Sequence, residues 1–191
     1  MSRAIFLRAA LLTIALTTLA GCVPAIVVGA AATAMVATDR RSAGVQLDDE
    51  SIEIKVSSKI GSDYETRVHV NVTSYNGVVL ITGEVPDQEA LNYIGNLAKG
   101  TEKVRVVHNE LVVGPNSDLS SRSNDTYITG KVKSRMIEAN KFPPNAVKVV
   151  TERSVVYLMG LVSKDEGDAA AETAATTAGV VRVVKFFQYP A

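Results

Sequence analysis

Few side chains in this 191-residue sequence are equipped for chemistry. There are two histidines, His69 and His108, and one cysteine, Cys22. Both histidines fall in β-branched runs that read as strands of the first half, and neither has a counterpart in the second half. No Cys, Asp or Glu constellation accompanies them in the sequence. A Ser–His–Asp arrangement needs a base and an orienting acid held together, and a metal centre needs several donors at recognisable spacing. Neither is legible, so no catalytic residue, metal ligand or cofactor is expected, and the chain does not read as an enzyme. A lone cysteine also rules out an intramolecular disulfide.

Cys22 has a different chemistry in prospect. Residues 1–21 carry Arg3 and Arg8, then an apolar run over 9–19, then small residues ending at Cys22. That order is a secretory signal peptide. "LAGC" (19–22) resembles a bacterial lipoprotein signal, in which Cys22 becomes the acylated N-terminus after cleavage. Val23 behind it resembles lipoproteins sent to the outer membrane. No residue from 9 to 38 is charged, a length that could span a bilayer, but Gly21, Pro24 and Gly29 interrupt it. Two or more acyl chains anchor stably without a helix.

A third candidate is the stretch "NDTYITGKVKSRMI" (124–137). At about 100° per residue, Ile128, Val132 and Met136 form one stripe for a core. Tyr127, Gly130, Ser134 and Ile137 lie opposite, flanked by Lys131 and Lys133, while Arg135 sits on the stripe's edge, where a long side chain can reach outward. An aromatic and an aliphatic over small residues, rimmed by cations, suits the headgroup level of an anionic bilayer. The stretch "DESIEIKVSSKI" (49–60) shares the core stripe but puts Ser51, Ile54 and Ser58 at the equivalent positions, followed by Gly61. Residues 48–60 carry four acids and two lysines, whereas 124–141 carry two acids and four bases. If one copy meets anionic lipid, electrostatics select the second.

The elements that must hold these residues come from an internal repeat. "IEIKVSSKI" answers to "ITGKVKSRM", "VTSYNGVVLITGEV" (72–85) to "VVTERSVVYLMGLV" (149–162), and "VRVV" at 104–107 recurs at 181–184. Each copy reads as helix, strand, strand, helix, strand. In the first, Ile52, Val56 and Ile60 mark a helix, with Asp48 or Asp49 as its expected N-cap. Runs over 68–74 and 78–84 flank Asn76-Gly77, a strong hairpin signal. Pro86 and Asp87 open a second helix, and 104–113 is a third strand. The second copy keeps the order, with Ser154 in its turn where a glycine would be usual. Expected boundaries are 1–21 signal peptide, 22–47 lipidated cysteine and tether, 48–113 first domain, 114–123 linker and 124–190 second domain. Fully extended, the tether reaches about 80 Å at roughly 3.3 Å per residue. Units this small are marginal alone, so the copies should pack on each other or depend on their short linkage. Lys+Arg and Asp+Glu balance at 20 each and there is no Trp, so no nucleic-acid partner is expected.

This order, with Gly77 in the first hairpin and Gly83 and Gly160 closing the second strands, resembles the BON domain. Two such domains behind a lipoprotein signal resemble the dual-BON outer-membrane lipoproteins. The likeness is carried by "LAGC", "TDRRSAGVQLDD" (38–49), "VNVTSYNGVVLITGEV" (70–85), "NDTYITGKVKS" (124–134) and "VYLMGLV" (156–162). It implies an α+β fold of two tandem αββαβ domains, each with two helices on one face of a three-stranded mixed sheet. It also implies a non-enzymatic, lipid-anchored protein on the periplasmic face of the outer membrane. Such a protein would bind anionic phospholipid of the phosphatidylglycerol kind and support envelope integrity at division sites. The family's lipid surface lies on the first helix of the second domain, which here is the face of Tyr127, Gly130, Lys131, Lys133, Ser134 and Ile137. An adaptor reading stays open beside it, in which the same face, or the sheet's exposed side, docks an envelope protein of outer-membrane assembly or cell-wall remodelling.

Overall fold

Ser42 starts the first helix. Its hydroxyl accepts from the Val45 amide at 3.3 Å, and α1 runs Ala43–Tyr64. The helix therefore begins well before the expected cap at Asp48 or Asp49, because Asp49 is turned inward and bonds elsewhere. The computed structural model describes residues 39–190; the expected signal segment, Cys22 and the apolar part of the expected tether lie outside the described residues. The polar end of the expected tether is built into the fold. Arg41 pairs with Asp39 and Asp49, each at 2.7 Å, and lies 4.0 Å over the Tyr75 ring. Arg40 grips Glu166 through two nitrogens, at 2.6 and 2.7 Å, and the Leu161 carbonyl at 3.0 Å.

Strands β1 (His69–Tyr75) and β2 (Val78–Val85) form the expected hairpin. Asn76 and Gly77 have φ of 52° and 73°, the left-handed pair that a two-residue turn needs to match strand twist. Helix α2 (Gln88–Lys99) starts at Asp87, whose carboxylate accepts from the Ala90 amide. It returns the chain to β3 (Val106–Val113), which pairs parallel with β2. The sheet order is thus β1-β2-β3, mixed, with β2 central. The third strand pairs with the second, a choice the sequence left open.

The second domain repeats this order. Helix α3 (Leu119–Ala139) is capped by Asp118, so it takes up half of the expected linker. A short 3-10 turn, Pro144–Ala146, precedes β4 (Val147–Glu152) and β5 (Val155–Leu161). Helix α4 (Lys164–Ala175) opens with a Ser163–Glu166 capping box, and β6 (Arg182–Gln188) pairs parallel with β5. Arg153 and Ser154 turn the β4–β5 hairpin with φ of 51° and 61°. Loss of the glycine has not changed the type of turn.

All eight residues of β2 are buried, because each of its faces has a cover. Alternate residues Val79, Ile81 and Val85 meet Ile52, Val56 and Ile60 of α1 and Ala90, Ile94 and Ala98 of α2. In the second domain Val156 and Leu158 meet Ile128, Val132 and Met136 of α3 and Ala170 and Ala174 of α4. The other faces pack on each other: Tyr75, Val78 and Leu80 of one sheet join Tyr157 and Met159 of its neighbour in a third core. Fully burying such side chains stabilises by roughly 1.5–3 kcal/mol each. This third core supplies what each small domain lacks alone. It also corrects one expectation: the second face of each sheet is covered by the other domain and is not an exposed docking surface.

Candidate functional site

Helix α3 shows its two sides plainly. Ile128 and Val132 are fully buried and Met136 nearly so, while Tyr127 is 65% exposed and Ile137 58%. Along the exposed side a groove of about 840 Å³ runs between α3 and the end of α4. Tyr127, Gly130, Lys131 and Ser134 line it from α3, and Thr176, Thr177 and Ala178 close it from the far bank. A β-carbon at Gly130 would meet nothing within 4 Å, so Gly130 leaves the helix backbone open to the groove. Four of the six expected residues thus come together. Lys133 and Ile137 are exposed on the same helix but outside the groove.

The cations are held in place. The Lys131 ammonium donates to the Ala178 carbonyl and lies 4.6 Å over the Tyr127 ring. Arg135 does not reach outward as expected. Its guanidinium crosses to α4, donating to Thr177 Oγ1 at 2.9 Å and the Thr173 carbonyl at 3.3 Å, and it lines the groove from its floor. A guanidinium carries five donors, so these contacts orient it without exhausting it. Glu138 also lines the groove. In the sequence it registers only as one of the segment's two acids, although three helical turns from Tyr127 put it on the same face. Thr176, Thr177 and Ala178 left no mark in the sequence, since only the packing of α4 on α3 brings them near. The groove can present ordered cations, hydroxyls and an aromatic to a phosphate-bearing, partly apolar ligand.

The structural glycines have close neighbours. A β-carbon on Gly77 would stand 2.9 Å from Arg105 Cδ and the Lys103 carbonyl oxygen, and one on Gly83 1.9 Å from the His69 carbonyl oxygen. One on Gly160 would stand 2.3 Å from the Ala146 carbonyl oxygen. Cys22 lies outside the described residues. Among the described residues, no helix is long and apolar enough to cross a membrane.

One negative expectation is overturned. His69 does have acidic company: Glu84 of the neighbouring strand and Glu152 of the second domain. His69 Nδ1 lies 3.0 Å from Glu84 Oε2 and 3.9 Å from Glu152 Oε1. His108 stacks on Phe186 with ring centroids 3.8 Å apart, and burial there lowers its pKa.

The BON domain model matches the chain twice, at residues 48–115 and 124–191. The chain belongs to the BON-domain family. Its BON domains sit in a two-domain protein of the DolP type. It is 40% identical to the outer membrane lipoprotein DolP of Haemophilus influenzae over 173 residues, 90% of each chain. It is 37% identical to a protein named 21 kDa hemolysin of Actinobacillus pleuropneumoniae, over 79% of each chain. The osmotically-inducible protein Y of Escherichia coli is 28% identical over 73% of this chain and 71% of its own. The α+β fold of two BON domains inferred from the repeat is the fold observed, and the family ties the protein to the cell envelope.

Proposed function

We propose that this BON protein is held in the outer membrane by acylated Cys22, on the periplasmic side. There it reads anionic phospholipid in the same membrane through α3 of its second domain, in support of envelope integrity at division sites. No catalytic step is part of this role. The observation that carries the reading is the exposed Tyr127 beside a groove lined by Gly130, Lys131, Ser134 and Arg135. Tyr127 contributes little to a core at 65% exposure, so its size and place favour a contact outside the fold. Ile137 and Lys133, exposed farther round the helix, would enter the headgroup layer beside it. A relative named an outer membrane lipoprotein supports the location. Each cation near an acidic bilayer adds about 1 kcal/mol, and acylation makes a weak contact sufficient by raising its effective concentration.

The test is an NMR titration of unlipidated chain from residue 39 onward with phosphatidylglycerol bicelles, against phosphatidylcholine as control. Shifts centred on Tyr127, Gly130, Lys131, Lys133, Ser134 and Ile137, seen only with the anionic lipid and lost in Tyr127→Glu, are expected. No shift with either lipid would remove α3 as a lipid surface. The same face would then be probed by cross-linking as an adaptor for an envelope protein.

A further inference from the structure

Strand alternation puts His69, Asn71, Thr82 and Glu84 on the face of the first sheet that meets the second domain. His69 and Glu84 are a cross-strand pair, as are Asn71 and Thr82. Glu152, at the end of β4, arrives from the other sheet. Asn71 donates to Glu152 Oε2 at 2.9 Å and Thr82 Oγ1 to the same oxygen at 3.3 Å. The cluster therefore holds two buried carboxylates, Glu84 at 1% and Glu152 at 5% exposure, and one imidazole. The charges do not balance, since a single imidazole can offset at most one carboxylate. Arg122 lines the same groove as His69 and Glu152, but its Nε and Nη2 donors are directed to Ser117 and not to either carboxylate. Asp125, on that groove too, adds to the negative field.

One atom of this cluster is unaccounted for. Glu84 Oε2 accepts from the Ser117 amide at 3.0 Å and faces His69. Glu84 Oε1 is buried with no hydrogen-bond partner. A buried carboxylate oxygen left unpaired is costly, and burial of charge is ordinarily relieved by pairing or by a metal ion.

We propose that His69, Glu84 and Glu152 bind one divalent transition-metal ion of the zinc kind, which ties the two BON domains together at their shared face. One ligand atom from each residue lies within 4.8 Å of the other two. Around a tetrahedral ion with bonds of 2.0–2.1 Å, ligand atoms stand about 3.4 Å apart. The separations of His69 Nδ1 from Glu84 Oε2, 3.0 Å, and from Glu152 Oε1, 3.9 Å, bracket that value, and the same Glu84 carboxylate offers Oε1, which has no competing partner. A dication would neutralise both carboxylates, replace the proton on Nδ1 and leave a fourth position for water. Imidazole with carboxylate suits zinc-like ions, whereas calcium prefers six to eight oxygens. A groove of about 410 Å³ lined by His69, Asn71 and Glu152 gives the ion a path from solvent. Asn71 and Thr82, bonded to the far oxygen of Glu152, orient that ligand as outer partners commonly do.

The experiment uses the full chain without an affinity tag, stripped with chelator and titrated calorimetrically with Zn²⁺, then with Co²⁺ while visible absorption is followed. Expected are one ion per chain, a Co²⁺ d–d band, a higher melting temperature with Zn²⁺, and no comparable effect of Ca²⁺. His69→Gln and Glu152→Gln should each weaken binding at least about tenfold, since even outer partners are worth that much. His108→Gln should leave binding unchanged. Co²⁺ should also broaden NMR signals of His69, Glu84 and Glu152 in the unmutated protein, a readout independent of how the variants fold. Failure of one-to-one uptake, binding unchanged by both His69→Gln and Glu152→Gln, or broadening centred elsewhere overturns the site.

Discussion

Asp49 and Asp125 stand at equivalent positions of the two repeats, and each ties its helix to its own hairpin turn. Asp49 accepts from the amides of Asn76 and Gly77 at 2.6 and 2.8 Å. Asp125 accepts from those of Arg153 and Ser154, both at 2.8 Å. Two adjacent turn amides that would otherwise be orphaned are thus met by one carboxylate, 3% exposed in the first domain and 5% in the second. In each domain one carboxylate thus links the first helix to the hairpin it packs on, and in the second domain that helix carries Tyr127.

Replacing either acid should therefore cost more than a surface change. Hydrogen bonds to charged groups are worth about 1.5–3 kcal/mol, and buried amides left unmet add a penalty. Asp125→Ala is expected to lose about 2–4 kcal/mol. Asp49→Ala should lose more, because Asp49 also receives Ser74 Oγ at 2.7 Å and Arg41. Urea unfolding of the two variants beside the unmutated protein gives the order directly, and equal losses would show that Arg41 and Ser74 add nothing.

The second turn carries strain that the first does not. Ser154 holds φ 61° where the first repeat has Gly77 at 73°. A left-handed conformation costs a non-glycine residue roughly 1–2 kcal/mol, partly offset by the greater entropy a glycine loses on folding. Ser154→Gly should raise stability by about 0.5–1 kcal/mol, with the Asp125 bonds retained and the midpoint, not the slope, of urea unfolding moved. No change would mean that the Asp125 carboxylate has already relieved the strain.

Much of this was legible because it follows local rules. Asn76-Gly77 announces its turn, the Ile52, Val56, Ile60 stripe announces its helix, and the repeat carries both into the second half. Asp49 reads as a helix cap in the sequence because an acid near a helix start has the same signature whether it faces water or a turn. The His69, Glu84 and Glu152 cluster was invisible for a different reason. Its members come from three strands and two domains, and only the back-to-back packing of the sheets joins them. The groove was half legible: α3 shows its own face, but Thr176, Thr177 and Ala178 arrive through tertiary packing.

Gly83 tests how tightly the first sheet is drawn. It pairs with Val70, has φ of 121°, and leaves only 1.9 Å between an added β-carbon and the His69 carbonyl oxygen. Gly83→Ala must move β1 away from β2, a change in the severe class of at least about 3 kcal/mol. Gly160→Ala meets the Ala146 oxygen at 2.3 Å and should cost less. Thermal melts of both variants check the ranking. Loss of the His69 to Glu84 contact should accompany the first and not the second, read from the His69 ring signals.

The segment just before α1 has its own pH signature. Arg40 holds Glu166 through a bidentate contact and, with the Ser163 amide, brings its pKa from an ordinary 4.5 down to about 2. A depressed carboxyl contributes stability that is present above the unfolded value and is lost as pH falls through the folded one. The window is therefore about pH 4.5 to 2. Arg40 is one-third exposed, which limits the contribution to about 1 kcal/mol or less. Arg40→Ala should lower the melting temperature modestly at pH 6, and its deficit should shrink as pH falls through that window. Glu166→Gln should behave alike at pH 6 but also weaken the start of α4, since Glu166 accepts from the Ser163 amide at 2.8 Å. A deficit that stays constant from pH 6 to 2 would show that Arg40 acts through its bond to the Leu161 carbonyl and not through the ion pair.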